Sequence, residues 1–138
     1  FHFLFTPAYR KKIFLDERVR KLVKAYLYAK AEELQIKVAA VEFGPDHMHV
    51  FLANCKNYAV AEIAQRIKGF ISRQMMKNHR KLFGALIYGN RFWTRGYFYR
   101  SIGATTSGAV EFYINNSQAK HWEGIDYEAY KCIGQQNL

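Results

Sequence analysis

The chain has 138 residues, and its 21 Lys and Arg outnumber 11 Asp and Glu to give a formal net charge of +10. That length fits one domain over residues 1–138 with a core that needs no staples; half the residues are hydrophobic and 17% aromatic, which excludes a disordered or fibrous chain. No apolar run approaches the roughly 20 residues that span a bilayer, and the basic excess points to an anionic partner, nucleic acid ahead of a membrane surface.

Residues 1–6 (FHFLFT) are short, aromatic and end at Thr6-Pro7, as a strand does. From Asp16, a fitting N-cap, the pattern turns helical: Val19, Leu22, Val23, Tyr26 and Leu34 form one apolar stripe among basic residues. Residues 36–43 and 47–53 read as two strands around the turn Gly44-Pro45-Asp46, paired as an antiparallel hairpin. A second helix is expected over 59–78, with Val60, Ile63, Ile67, Phe70 or Ile71, and Met75 at helical spacing. Residues 85–102 read as an aromatic-rich β segment. Gly103 to Gly108 breaks the chain, and a third helix is expected from about Ser107 to Lys120. The order β-α-β-β-α-β-α predicts an α+β fold: a ferredoxin-like antiparallel sheet with helices packed on one face, plus a C-terminal helix.

No signal-peptide pattern opens the sequence, so a cytoplasmic location is expected. Because it starts on Phe1 rather than Met, an initial segment is expected to be missing from it. Cys55 and Cys132 lie in no metal-binding spacing and read as reduced thiols; a disulfide between them is the open alternative.

Three stretches carry chemistry. In Asp46-His47-Met48-His49-Val50, strand periodicity projects His47 and His49 from one face while Met48, Val50 and Leu52 face a core. Two imidazoles on one face suit a divalent cation, though two solvent-side histidines beside a turn would look the same. More donors are needed. His2 could approach across the sheet, whereas His79 and His121 read as surface residues. The second stretch interleaves Arg91, Trp93, Arg95, Tyr97, Tyr99 and Arg100; if extended, Trp93, Arg95, Tyr97 and Tyr99 share one face. Aromatic rings stack on unpaired bases and guanidinium groups hold phosphates. The third is the helix around Tyr113, followed by Asn115, Asn116, Ser117 and Gln118.

In this order, these stretches resemble the single-tyrosine HUH (His-hydrophobe-His) transposases of the insertion sequence 200/605 family. Phe3 to Arg10 is similar to their opening strand and Gly44 to Leu52 to their metal-site hairpin. Ile67-Lys68-Gly69 falls where they carry a similar helix. Phe92 to Tyr97 with Ser101-Ile102-Gly103 resembles their most recognisable segment, and Val110 to Gln118 their tyrosine helix. The resemblance implies a homodimeric enzyme that cleaves and rejoins single-stranded DNA, reading hairpins at the transposon ends. Tyr113 would be the nucleophile forming a 5′-phosphotyrosine, and His47, His49 and Gln118 would hold Mg²⁺ or Mn²⁺. Imidazole donors favour Mn²⁺. Both histidines must be neutral to bind a cation, so activity should fall in mild acid. Arg10, Lys68, Arg91, Trp93 and Arg95 are the expected DNA contacts.

One position departs from the family pattern, which has a glutamine four residues after the tyrosine. Here that residue is Ser117, and Gln118 lies one further, about 140° round an ideal helix from Tyr113. A helix distortion would bring Gln118 in; Asn116, Ser117 or a residue elsewhere are the alternatives. Two other readings of the chain stay open. One is a non-catalytic basic nucleic-acid-binding module; the other is a domesticated relative acting on repeated palindromes.

Overall fold

Phe3 and Phe5 point one way and His2 and Leu4 the other, and all four are buried, so the opening strand lies inside the sheet rather than at its edge. The computed structural model describes residues 1–87 and 89–100. Strands β1 (His2–Phe5), β2 (Lys37–Gly44), β3 (His47–Ala53) and β4 (Phe98–Arg100) form one antiparallel sheet in the order β2-β3-β1-β4. Helix α1 (Glu17–Leu34) joins β1 to β2 and α2 (Val60–Asn78) follows β3, which is the split β-α-β arrangement of ferredoxin-like sheets.

Local chemistry explains the element bounds. The Asp16 carboxylate accepts the Arg18 backbone N–H at 2.8 Å and starts α1, while Gln35 adopts a left-handed conformation (φ 58°) that ends it. The buried stripe of α1 is Val19, Val23, Leu27, Ala31 and Leu34, so it runs one row away from Leu22 and Tyr26, which are only half-buried. On α2 the buried residues are Ile63, Ala64, Ile67, Ile71 and Met75; Ile71 takes the core position and Phe70 packs edge-on against Tyr26. These stripes meet Phe3, Phe5, Met48, Val50 and Leu52 in a single core, which leaves His2, His47 and His49 on the other face of the sheet.

The expected continuous β segment over 85–102 is not what forms. Gly89 and Gly96 take positive φ (75° and 77°), conformations that interrupt a strand, and among the described residues of this stretch Phe98–Arg100 pair with β1 as β4. An isolated bridge between Trp93 and Pro7 continues the edge, with Thr94 N donating to Thr6 O at 2.8 Å. The expected face therefore splits. Trp93 is buried against Phe5, Phe14 and Phe92, Tyr97 and Tyr99 pack on Phe3, and Arg95 is exposed. The expected third helix, Tyr113 and Gln118, the Gly103–Gly108 link, His121 and Cys132 lie outside the described residues. Among those described, no helix is long and apolar enough to cross a membrane.

Candidate metal centre and nucleic-acid interface

Alternation along β3 brings His47 and His49 to one face, with ring centroids 5.1 Å apart and planes nearly perpendicular (89°). Both are buried, at 5% and 1% exposure, so neither is a solvent-side histidine beside a turn. Each has its Nδ1 engaged. His47 Nδ1 lies 3.0 Å from Asp46 Oδ1; since a carboxylate only accepts, that nitrogen carries a proton, and in the neutral ring Nε2 carries the lone pair. His49 Nδ1 lies 2.7 Å from Nε2 of His2, which reaches diagonally from β1. His2 therefore spends that nitrogen on His49 rather than on a cation. Burial, reinforced by nearby positive charge that includes Arg100, lowers the His2 pKa to about 4, and the ring is neutral at ordinary pH.

The turn before β3 holds this arrangement. Asp46 Oδ2 pairs with the Arg10 guanidinium at 3.3 Å, so one carboxylate links the β1 exit to His47. Tyr9 and Arg10 both sit in the left-handed region (φ 58° and 54°), a conformation that costs non-glycine residues about 1–3 kcal/mol each. This strained corner aims Arg10 back at Asp46. Pro45 O accepts the Phe14 backbone N–H at 3.1 Å and ties the turn to the segment preceding α1. Gly44 pairs in register with His47, and a Cβ there would fall 2.6 Å from Nε2 and 2.8 Å from Nδ1 of that ring. The glycine is required because the imidazole lies over it. Sequence spacing gave no hint of this beyond a turn residue.

Glu42 lies directly across from His49 on β2 and is also buried. Even so, among the described residues no three His, Cys, Asp or Glu side chains are grouped to hold a metal. The described residues thus bring together the two expected histidines, while Gln118, the third expected donor, lies outside them.

The residues expected to contact DNA gather elsewhere. Lys68, Arg91, Trp93 and Arg95 line an open groove of about 490 Å³ between α2 and the loop before β4, together with Ser72, Asn90 and Thr94. Their roles differ. The Lys68 ammonium, its pKa lowered by burial, donates to the backbone oxygens of Thr94 (3.0 Å) and Gly96, clamping the turn that breaks the strand. Trp93 is 4% exposed and forms part of the groove floor and the core, so its ring is not open for base stacking. Arg91 and Arg95 are exposed cations. Arg10 is remote from them in the chain and is tied to Asp46, with about half its side chain exposed.

Comparison with known proteins follows the same residues. The family model described as "Transposase IS200 like" matches residues 1–117. The transposase for insertion sequence element IS200 of Salmonella typhimurium is 29% identical over 119 residues, covering 84% of this chain and 74% of the relative. The ISDra2 transposase TnpA of Deinococcus radiodurans is 24% identical over 120 residues, covering 87% and 84%. A Deinococcus radiodurans crystal structure assigned to a transposase has a similar fold, with a TM-score of 0.64 at 24% identity over 85% of this chain and 88% of that one. The matched stretch contains the whole described sheet, the buried His2, His47 and His49, and the basic groove, and the chain belongs to the IS200-like transposase family.

Proposed function

We propose that this chain cleaves and rejoins single-stranded DNA at the ends of its insertion sequence through a covalent 5′-phosphotyrosine on Tyr113, working as a homodimer that reads a DNA hairpin. The observation that carries the reading is the buried pair His47 and His49, side by side on one strand face with both Nδ1 atoms held by protein partners. Neutral imidazoles oriented in this way fit a divalent cation, and nitrogen donors suit Mn²⁺ better than Mg²⁺. Gln118 is the expected third donor. When bound, such a cation would neutralise charge on the scissile phosphate and align it.

The remaining work falls to the chain's own residues. The Tyr113 phenol oxygen bonds to phosphorus as the bond to the 3′-oxygen breaks; the phenolic proton ends on the freed 3′-hydroxyl. In the second step a different 3′-hydroxyl attacks the phosphotyrosine, restores the phenol and joins the strands, so no external energy source is consumed. A phenol of pKa about 10 is a weak nucleophile at neutral pH, which is why a charge-stabilising site beside it is needed. Arg91 and Arg95 line the groove as phosphate contacts, and Arg10 adds a partly exposed guanidinium beside the histidines.

The test is covalent capture. The protein is incubated with labelled single-stranded DNA from its element's ends, with and without Mn²⁺, and run on denaturing gels. A Mn²⁺-dependent adduct absent in Tyr113→Phe and His47→Ala supports the reading. Salt-sensitive DNA binding with no adduct under any metal would return the chain to a basic binding module.

A further inference from the structure

We propose that His2 is a positioning residue that selects the metal-binding tautomer of His49. The inference rests on the cation reading of the histidine pair given above. His2 Nε2 and His49 Nδ1 are 2.7 Å apart, both rings are almost fully buried, and one proton lies between them. That proton has two possible homes. If His2 owns it, His49 accepts through Nδ1, its own proton sits on Nε2, and the ring turns an N–H rather than a lone pair outward. If His49 owns it, Nδ1 donates to His2, and Nε2 is left with the lone pair that a cation requires. Only the second arrangement makes His49 a ligand. It assigns His2 the role of acceptor, with its own proton on Nδ1.

The neighbouring histidine supports the assignment. His47 is held in the same way, its Nδ1 donating to Asp46, which Arg10 anchors in turn. Each histidine of the pair thus has an Nδ1 partner from a different element: a carboxylate from the preceding turn for His47, an imidazole from β1 for His49. A partner of this kind fixes the ring as well as the proton. His2 is itself fixed by stacking flat on Phe51, with centroids 4.3 Å apart and planes 9° from parallel. That stack offers a perturbation, because phenylalanine keeps an aromatic ring against Phe51 and removes the Nε2 acceptor.

Two readouts test the proposal. The first is ¹⁵N NMR of the imidazoles in the metal-free full-length protein. His49 is expected to be protonated on Nδ1 and bare on Nε2; a proton on His49 Nε2 would overturn the assignment. The second is Mn²⁺ affinity by calorimetry. His2→Phe is expected to weaken it roughly 10–100-fold, and His2→Gln, which restores an acceptor, to recover most of the loss. Wild-type affinity in His2→Phe would overturn the proposal. If the wild-type protein takes up no Mn²⁺ at all, the cation reading fails by itself, and the NMR tautomer still decides what His2 does.

Discussion

Gly44→Ala probes the histidine site through a single methyl group. The added Cβ would lie 2.6 Å from His47 Nε2, 2.8 Å from Nδ1 and nearer still to Cε1, where an ordinary contact begins at 3.4 Å. Relief requires the imidazole to retreat by about 1 Å or β2 and β3 to part locally, and overpacking of this kind costs about 1–3 kcal/mol. For a domain of this size that lowers Tm by roughly 4–12 °C. The retreat also pulls His47 Nδ1 from Asp46 and carries Nε2 away from its position beside His49. A displacement of about 1 Å in a catalytic group can cost about 100-fold in rate. The assay pairs a thermal melt with Mn²⁺ titration and the rate of adduct formation. The expected variant is folded at 25 °C, binds Mn²⁺ at least about tenfold more weakly and forms adduct about 100-fold more slowly. A Gly44→Ala protein with wild-type metal affinity and rate would refute the argument that this imidazole, in this position, is the ligand.

Three further outcomes follow from the same geometry. Lys68→Met removes two charge-assisted bonds to the Thr94 and Gly96 carbonyls; it should cost about 2 kcal/mol in chemical denaturation, and an unchanged midpoint would mean the clamp is idle. The double variant Arg91→Ala, Arg95→Ala should flatten the dependence of log affinity on log salt for single-stranded DNA by about 1.4, and an unaltered slope would take the groove out of the DNA interface. In the metal-free protein, His2 has its pKa lowered from 6.5 to about 4, so on acidification the unfolded chain takes up this proton before the folded one. The His2 contribution is therefore fully kept above pH 6.5 and drains away, by up to ~3 kcal/mol, as pH falls toward 4. Urea titrations across that range should show a shallower pH dependence in His2→Phe than in wild type, and parallel curves would count against the burial argument.

Regular elements were legible because each rests on local periodicity. The Asp16 cap, the α2 stripe and the period-2 alternation at His47 and His49 are patterns of neighbours in sequence. What sequence left ambiguous depended on contacts between distant residues. Only the antiparallel register of β1 with β3 brings His2 Nε2 to His49 Nδ1, so His2 read as a possible cation donor before its nitrogen was seen to be spent on a neighbouring ring. Asp46 read only as the last residue of a turn; β3 does begin after it, at His47, but its carboxylate folds back onto His47, a contact no spacing announces. The aromatic stretch misled for a different reason. Its alternation suits a strand, but two glycines at positive φ break it, burying Trp93 and freeing Arg95. Lys68 illustrates the same limit: a lysine on a helix looks like a phosphate contact until the carbonyls it holds are known.

The central claim is that Tyr113 carries the DNA. Mass spectrometry of the trapped adduct tests it most directly: the protein reacted with Mn²⁺ and a single-stranded element end is digested with protease and nuclease, and the peptide bearing the residual nucleotide is sequenced. The account predicts a 5′-phosphonucleotide on Tyr113 and on no other tyrosine. The same modification on a different tyrosine, or a nucleotide attached through its 3′-phosphate, would contradict it.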